Sequence, residues 1–453
     1  MAKRKKPNVP TYAPANAWQR YQKKLRRQTA RKRAIKRIPV YAAALIGLLA
    51  LGQGLFWGLS QIPWPSPEAS EKASTEAKPG AKPALDAALI PRILAEMSLS
   101  EVTRPAFPVT AGNGQLQMHT SIDPELQQYA QTHIDKKYAK YFGLVAMKPE
   151  SGRIVAMVSL DKTGRDTNIC TRPDFPAASL FKIVTAAAAI EEYGFRTNTP
   201  MAYNGRKHTL YKSQLKPTDN KYTRHISFAD SFAESINPVF GKIGSHRLKK
   251  DGLEKYARAF GFTREIPFDL PLPRSPMAIK NEPYHWAEIA SGFNQQTLIS
   301  PLHAALLTSA VVNQGELMRP ILIETVRRGD ETLYKSQPES LNQAVSPDTA
   351  AELQKLMRAT VTQGTARRMF RDCQRDPLLS GLTIGGKTGS INNNPEKIKY
   401  DWFTGFAKEK KGADQLAVSV FVAHKEYIGR RAGIYAKNLF KQYFTKKQTK
   451  PRI

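Results

Sequence analysis

Apolar and polar positions divide the chain into one long uncharged run and a C-terminal part with shorter periodic segments. Residues 40–62 (VYAAALIGLLALGQGLFWGLSQI) carry no charge, and as a helix they would cross a hydrocarbon layer of about 30 Å. Tyr41 lies near one end of the run, and Trp57 and Trp64 lie near the other, which suits the two membrane interfaces. The pattern predicts an N-terminal transmembrane helix.

Beyond residue 115 the pattern changes between strand-like and helix-like several times. The run LQMHTSI predicts a strand, and Asp123 with Pro124 begins a predicted helix that extends to residue 141. The runs FGLVAMK and RIVAMVSL flank a Pro-Glu-Ser-Gly turn and predict a β-hairpin. Residues 177–193 are mostly apolar at helical spacing, which predicts a buried central helix. Further helices are predicted at 228–248, 252–260, 301–313, 349–361 and 432–444, and further strands at 382–391, 401–407 and 416–424.

These elements together predict an α+β fold. We expect an antiparallel sheet that is assembled from both ends of the segment and flanked by a helical block. Ahead of it, residues 63–85 are mainly Pro, Ala, Ser, Glu and Lys, a composition typical of a tether. The predicted organisation is a basic arm at 1–39, a transmembrane helix at 40–62, a linker with a short strap at 63–114 and a globular domain at 115–453.

Positive charge is concentrated at the N-terminus. The 453 residues include 69 Lys and Arg against 38 Asp and Glu, a formal net charge of +31, and residues 1–37 hold fourteen of the basic residues and no acidic one. Because basic flanks lie on the cytoplasmic side of a span, we predict a single-pass inner-membrane protein with a cytoplasmic N-terminus and a periplasmic domain. The arm suits anionic lipid. Nucleic acid is not an expected partner, since no reader domain lies near the arm, and the remaining positive charge would face anionic envelope polymers.

Ser179 and Lys182 stand three residues apart in the predicted central helix, so their side chains share one face. A serine hydroxyl needs an adjacent base to become a nucleophile, and a lysine can be that base if burial lowers its pKa. The apolar neighbours of the pair favour such burial. Two other Ser-x-x-Lys copies, at 159–162 and 213–216, lack the buried helix.

Two further motifs follow this pair along the chain, one in a helical segment and one in a strand. They are Ser235-Ile236-Asn237 and Lys387-Thr388-Gly389-Ser390. The order Ser-x-x-Lys, Ser-x-Asn, Lys-Thr-Gly is the motif set of penicillin-recognising serine acyltransferases. The chain resembles the transpeptidase domain of penicillin-binding proteins over about residues 115–443, and runs such as TSIDPELQ and DWFTGFA add to the resemblance. It implies a β-lactamase/transpeptidase-like fold for the domain at 115–453.

The resemblance also implies catalytic roles. Ser179 would attack the penultimate D-Ala carbonyl of a stem peptide that ends in D-Ala-D-Ala, with Lys182 as its base. Ser235 would relay a proton toward the leaving amine, and the charge of Lys387 would tune this relay. Asn237 would bond the substrate amide.

On the strand, the resemblance implies a substrate-binding segment. The hydroxyl groups of Thr388 and Ser390 would hold the terminal carboxylate, and Gly389 lies between them. The backbone N–H groups of Ser179 and Ser390 would form the oxyanion hole. No cofactor is implied. The eight histidines form no close pair and no H-E-x-x-H motif, so no metal site is predicted.

Residues 381–388 also fit the phosphate-binding pattern G-x-x-x-x-G-K-[ST]. A phosphate-binding loop requires a hydrophobic strand before it and a helix after it. Neither is predicted here, so the pattern does not indicate a nucleotide site.

The two cysteines of the chain each precede an active-site motif. Cys170 lies before Ser179, and Cys373 lies before Lys387. Because the expected compartment is oxidising in many bacteria, a Cys170–Cys373 disulfide is a hypothesis, and two unpaired thiols are the alternative.

The resemblance implies a membrane-anchored peptidoglycan D,D-transpeptidase that cross-links stem peptides through a serine acyl-enzyme and is inhibited by β-lactams. The segment before residue 115 is too short for a glycosyltransferase domain, so a separate membrane glycosyltransferase is an expected partner. Two alternatives stay open, a D,D-carboxypeptidase or endopeptidase and a β-lactam-binding sensor or scaffold without turnover. The motifs do not separate them, because acceptor choice depends on the shape of the cleft.

Overall fold

In the computed structural model, the described residues are 87–449 apart from 96, 112–113, 165–167 and 394–396. The predicted arm at 1–39, the predicted transmembrane helix at 40–62 and the predicted tether at 63–85 lie outside the described residues. Within the described residues, no helix combines the length and the apolar character that a membrane span requires.

Helices account for most of the middle of the described chain and for its C-terminal end. The α-helices are α1 (Ile90–Leu94), α2 (Leu99–Val102), α3 (Pro124–Thr132), α4 (Lys182–Tyr193), α5 (Phe228–Ala233), α6 (Asn237–Lys242), α7 (Lys249–Ala259), α8 (Pro283–Ser291), α9 (Pro301–Val312), α10 (Pro347–Thr362), α11 (Arg367–Phe370) and α12 (Ala432–Thr449). The 3₁₀ turns are Ala87–Leu89, Ala178–Phe181, Lys212–Leu215 and Leu379–Gly381, and Ile243–Leu248 is π-helical.

The strands come from the N-terminal part, from the C-terminal part and from short segments between the helices. They are β1 (Ala106–Ala111), β2 (Gly114–Thr120), β3 (Ala139–Met147), β4 (Ile154–Asp161), β5 (Phe175–Pro176), β6 (Pro200–Tyr203), β7 (Arg224–Ser227), β8 (Leu298–Ile299), β9 (Glu316–Met318), β10 (Ile323–Arg328), β11 (Glu331–Lys335), β12 (Ser340–Gln343), β13 (Leu382–Asn393), β14 (Ile398–Glu409) and β15 (Gln415–His424).

The main sheet has the strand order β13-β14-β15-β3-β4, and all its neighbouring pairs are antiparallel. The prediction of an antiparallel sheet built from both ends of the domain is therefore confirmed. β13 is an edge strand, and its register places Lys387 opposite Thr404 and Ser390 opposite Asp401. The outer side of an edge strand carries unpaired backbone groups, so the Lys387–Ser390 segment can bond an extended chain there.

Both faces of the main sheet are buried. In β3, Val145 and Met147 belong to a first hydrophobic cluster that includes α4 and α9, whereas Leu144 and Ala146 belong to a second cluster that includes α12. Because successive side chains of a strand point to opposite faces, two-sided burial requires the continuous apolar run seen in the sequence. The predicted buried central helix is confirmed from Lys182 onward, since α4 is buried from Lys182 to Ile190, but the residues Ala178–Phe181 before it form a 3₁₀ turn.

Two helix predictions are wrong in extent. The helix that begins at Pro124 ends at Thr132, because Ala139–Met147 pairs with β15 and β4 instead. The predicted helix at 228–248 is interrupted between α5 and α6, where Ser235 has a positive φ of 57°.

A second antiparallel sheet with the order β1-β2-β10-β11 includes part of the predicted strap. β1 pairs with β2 from Ala106 opposite His119 to Ala111 opposite Gly114. This hairpin crosses the predicted boundary at residue 115 and ties the strap to the rest of the fold, which the sequence pattern does not indicate.

Candidate active site

Ser179 lies in the 3₁₀ turn Ala178–Phe181, directly before α4. Ala178 has a positive φ of 47°, and such strained conformations of non-glycine residues cluster at functional sites. Gly292 packs against this turn. A Cβ atom at position 292 would lie 1.9 Å from the Ala178 carbonyl oxygen and 3.0 Å from Ser179 N. Close packing therefore fixes the turn, and Ser179 is half-buried at the edge of a cleft.

Lys182 is completely buried beneath Ser179, with its Nζ 2.9 Å from Ser179 Oγ. Nζ also donates to Asn237 Oδ1 at 2.8 Å and to the backbone carbonyl of Ser291. Burial, and then the positive charge of Lys387, lower the pKa of Lys182 well below its ordinary value. A neutral amine has two N–H donors and one lone pair. In the neutral form the two carbonyl oxygens take both donors, and the lone pair is left for the Ser179 hydroxyl.

Asn237 is oriented by a hydrogen bond of its own. Its Nδ2 donates to the backbone carbonyl of His208 at 3.1 Å, which turns Oδ1 toward Lys182. Asn237 is also the first residue of α6, and its backbone N donates to the carbonyl of Lys207 at 2.7 Å. The amide is thus held from two sides in the orientation that Lys182 requires.

Ser235 and Lys387 form a second pair. Ser235 lies in the break between α5 and α6, and Lys387 Nζ donates to Ser235 Oγ at 3.0 Å and to the Thr388 carbonyl at 3.1 Å. Lys387 is completely buried, and this burial lowers its pKa to about 7. The pair joins the helical block to the edge strand β13.

The edge strand contributes the third side of the site. Thr388 and Ser390 share a face because alternate residues of a strand do so, and the Thr388 hydroxyl lies 2.6 Å from that of Thr365. Gly389 lies between them, where a Cβ atom would be 3.4 Å from the Ala177 carbonyl oxygen. The strand therefore passes close to the turn that carries Ser179.

The predicted residues surround one cleft of about 530 Å³. The residues that line it are Ser179, Ser235, Asn237, Thr388 and Ser390. The two lysines lie beneath the cleft, and the amine of each is hydrogen-bonded to side chains of this set. Lining residues that no motif indicated include His208, Phe293, Thr365, Asn392, Lys399 and Arg431.

Arg431 reaches the cleft from the residue before α12. It donates Nε and Nη2 to the two carboxylate oxygens of Asp401 at 2.8 and 2.7 Å, and Ser390 Oγ donates to Asp401 at 3.4 Å. Burial would raise the pKa of Asp401, but His424 at 3.6 Å and the Arg431 guanidinium outweigh it and lower this pKa to about 2. The charged pair ties the start of α12 to the strand at Ser390.

His208 is the other unexpected polar residue of the cleft. Burial, and then the charge of Lys182, lower the pKa of its imidazole below the ordinary value. The sequence carries no signal for His208 or Arg431, because both lie outside the motifs and are brought to the cleft by long-range packing.

The predicted Cys170–Cys373 disulfide is wrong. Both cysteines are buried free thiols, and they lie in different hydrophobic clusters, Cys170 in the first and Cys373 in the second. Cys170 Sγ instead donates to the Val158 carbonyl at 3.2 Å. Burial raises the pKa of Cys170 to about 12 and that of Cys373 to about 11, so both thiols stay protonated at neutral pH.

The motif geometry agrees with a comparison to known protein families. A family model described as the penicillin binding protein transpeptidase domain matches residues 142–445 of this chain. The chain belongs to this family. The match runs from within β3 to within α12 and includes all three motifs.

Curated relatives of this penicillin-binding protein domain include stage V sporulation protein D of Bacillus subtilis, which is 27% identical over 333 residues. That alignment covers 68% of this chain and 49% of the relative. The peptidoglycan D,D-transpeptidase PbpA of Mycolicibacterium smegmatis is 27% identical over 350 residues, with coverage of 67% and 66%. The chain therefore spans about half to two thirds of the length of these relatives.

Solved structures show the same fold. The D,D-transpeptidase domain of a peptidoglycan glycosyltransferase from Eggerthella lenta superposes with a TM-score of 0.61 at 23% identity, covering 73% of this chain and 83% of that one. PBPA from Mycobacterium tuberculosis superposes with a TM-score of 0.59 at 23% identity, covering 72% and 81%. The α+β prediction with its antiparallel sheet is confirmed by these structures.

Proposed function

We propose that this penicillin-binding protein family member is a peptidoglycan D,D-transpeptidase that forms an acyl-enzyme on Ser179. The observation that carries the proposal is the placement of the Lys182 amine, whose lone pair is left for a hydroxyl 2.9 Å away. Further support comes from PbpA of Mycolicibacterium smegmatis, named a peptidoglycan D,D-transpeptidase. A structure of penicillin-binding protein A from M. tuberculosis, similar in fold with a TM-score of 0.57, is a penicillin G acyl-enzyme complex.

Acylation begins when Ser179 Oγ attacks the carbonyl carbon of the penultimate D-Ala and the hydroxyl proton passes to Lys182 Nζ. As the C–O bond forms, the carbonyl electron pair moves onto oxygen. The backbone N–H groups of Ser179 and Ser390 stabilise this oxyanion, and one such donor typically lowers the barrier by ~3 kcal/mol. Asn237 holds the substrate amide while its Oδ1 keeps the Lys182 amine in place.

The tetrahedral intermediate collapses when the C–N bond breaks and the terminal D-Ala amine takes up a proton through Ser235. The positive charge of Lys387 beside Ser235 favours this transfer, and the hydroxyls of Thr388 and Ser390 hold the departing carboxylate. In the second half-reaction an acceptor amine attacks the ester carbon, a new amide forms, and the proton returns to Ser179 Oγ as the ester bond breaks.

We also propose that the predicted helix at 40–62 anchors this domain in the inner membrane, with the arm at 1–39 in the cytoplasm near anionic lipid. The linker and strap at 63–114 would carry the transpeptidase domain at 115–453 into the periplasm. The composition of the flanks supports this orientation. A separate membrane glycosyltransferase would supply the glycan strands that the domain cross-links.

Labelling of the full-length protein with a fluorescent penicillin tests the acyl-enzyme. We expect the wild type to be labelled and Ser179→Ala to be unlabelled, because among the described residues the Ser179 hydroxyl is the one hydrogen-bonded to the Lys182 amine. Ser213→Ala is the matched control, since exposed Ser213 belongs to another Ser-x-x-Lys copy, and its label should equal that of the wild type. A labelled Ser179→Ala protein would refute the proposal.

Incubation with a pentapeptide donor and an amine acceptor then separates the activities. A transpeptidase forms the amide with the acceptor, which mass spectrometry detects. If water is the only acceptor used and the tetrapeptide acid accumulates, the protein is a carboxypeptidase and the cross-linking proposal is wrong.

A further inference from the structure

A groove lies outside the active site, and its volume of about 860 Å³ exceeds the 530 Å³ of the active-site cleft. It is formed by the C-terminal end of α10, by α11 and the loop after it, and by the start of β13. We call it the arginine groove, because four of its lining residues are Arg358, Arg367, Arg368 and Arg371.

The four guanidinium groups are exposed and not neutralised. In the described part of the chain, no acidic side chain forms an ion pair with any of them, and the groove lining contains no Asp or Glu. The acidic residues that follow α11 are engaged elsewhere, since Asp372 pairs with Lys437 and Asp376 pairs with Lys441. Four like charges at one concave surface repel each other, so the arrangement favours an anionic ligand over an empty groove.

The floor of the groove is apolar. Val361, Phe370, Leu382 and Ile384 line it below the arginine rim, and all four are buried. An apolar floor with a cationic rim suits a chain that carries carboxylates on an otherwise less polar backbone. Guanidinium groups match such carboxylates well, because their planar N–H groups can bond both oxygens.

The groove and the active cleft share two elements. Leu382 and Ile384 alternate along β13 with the same parity as Thr388 and Ser390, so all four lie on one face of the strand. Ile384 and Ser390 are six residues apart in that strand, which corresponds to about 20 Å. The connection between α10 and α11 passes between the two sites.

This separation is close to the length of one stem peptide. Five extended residues span about 17 Å, which is less than the spacing of about 20 Å, so a stem that ends at Ser390 and runs along β13 stops before Ile384 and leaves the groove for a second stem. The groove is therefore spaced for a neighbouring stem peptide that lies along the same edge strand.

We propose that the arginine groove is a second binding site, which holds the carboxylates of a second peptidoglycan stem peptide while the first is acylated on Ser179. The identity of this occupant rests on the proposed transpeptidase function. The groove would align the two stems through ionic contacts and leave the chemistry of the active site unchanged.

The test measures binding of soluble, uncross-linked peptidoglycan strands to the full-length Ser179→Ala protein, with native stem carboxylates or with the same carboxylates converted to amides. In this background, Arg367→Glu with Arg371→Glu reverses two groove charges. We expect binding of the carboxylate strands to weaken about tenfold and to lose most of its salt dependence, while binding of the amidated strands stays unchanged. The neutral pair Arg367→Gln with Arg371→Gln should show a smaller loss in the same direction.

The matched control is Arg258→Glu with Arg328→Glu, which changes the net charge equally at exposed positions outside the groove. We expect it to bind both strands as the parent protein does. An equal loss in the control, or an equal loss for amidated strands, would overturn the proposal. Normal strand binding with weakened binding to phosphatidylglycerol vesicles would assign the groove to a membrane and would also overturn it.

Penicillin labelling distinguishes failure of this proposal from failure of the proposed function. With Ser179 intact, the groove variant should be labelled like the wild type, which also verifies its fold. A wild type that takes no label would refute the acyl-enzyme, whereas the strand measurements judge the groove by themselves.

Discussion

Two buried lysines of the active site, Lys182 and Lys387, differ in what surrounds them. Both are completely inaccessible to solvent, and in the described residues neither amine forms an ion pair with a carboxylate. Lys182 has two carbonyl acceptors and the Ser179 hydroxyl around it, whereas Lys387 donates to Ser235 Oγ and to a backbone carbonyl.

The two pKa values differ for a physical reason. Burial alone lowers the pKa of Lys387 to about 7, while burial and then the charge of Lys387 lower the pKa of Lys182 well below its ordinary value. Burial therefore favours the neutral form of the Lys182 amine beside Ser179, and Lys387 titrates near neutral pH. This difference in surroundings supports different roles for the two lysines in the proposed mechanism, Lys182 as the base and Lys387 as the carrier of charge.

Replacement of Lys182, the proposed base, should produce the largest effect. Lys182→Met keeps the length and removes the amine, so we expect the rate of penicillin acylation at Ser179 to fall about 10³-fold or more. Stopped-flow or gel-based labelling measures this rate, and circular dichroism verifies the fold.

Lys216→Met is the matched control for Lys182→Met. Exposed Lys216 belongs to the other Ser-x-x-Lys copy, which contains Ser213, and its replacement should leave the rate unchanged. Acylation of Lys182→Met within tenfold of the wild-type rate would show that another group acts as the base.

Replacement of the charge carrier should produce a smaller loss. Lys387→Met removes a positive charge near the developing negative charge but leaves Ser179 and Lys182 in contact, so we expect a loss of about 10²-fold. The acylation rates of the two methionine variants are compared under identical conditions. A loss for Lys387→Met that equals or exceeds the loss for Lys182→Met would refute the division of roles.

The smallest predicted effect is a pH dependence with opposite signs for activity and stability. Lys387 is charged in the folded protein below about pH 7 and loses this charge above it, so acylation by a carboxylate-bearing β-lactam should decline by less than about tenfold from pH 6 to pH 8. In the unfolded chain the lysine stays protonated up to its ordinary pKa of 10.5. The unfolded state therefore binds more protons between these values, and the free energy of unfolding should rise with pH across this window.

Acylation rates and urea unfolding at several pH values measure the two trends. Lys387→Met should remove the contribution of this lysine to both. Lys182, whose pKa is also lowered, should leave a smaller stability slope in Lys387→Met. If both slopes are as steep in Lys387→Met as in the wild type, the assignment to Lys387 is wrong.

The three motifs could be identified from the sequence because the residues of each motif are close together in the chain. Ser179 and Lys182 are three residues apart, Ser179 in the 3₁₀ turn before α4 and Lys182 at the first position of α4, and Lys387 to Ser390 occupy successive positions of one strand. The position of Ser235 in a break between two helices could not be predicted. Its positive φ of 57° is a conformation that a serine rarely adopts, so local propensity does not favour it.

Other features depended on distant contacts. Packing between segments far apart in the chain brings Arg431 and His208 to the cleft and separates Cys170 from Cys373. The sequence pattern also did not indicate the pairing of β1 with β2. The disulfide hypothesis rested on the position of each cysteine before a motif. It was wrong because the distance in sequence to a motif does not determine on which side of the sheet a thiol lies.

The sequence by itself determined the periodicities of the main elements, the strand composition of the sheet and the motif residues, because these depend on neighbouring residues and on side-chain chemistry. Only the tertiary structure decided which lysine amines are buried, which arginines lack an acidic partner among the described residues and which side chains line each cavity. Burial and electrostatic interaction depend on groups that lie close in space, and the chain brings these groups together from positions as far apart as Lys182 and Lys387.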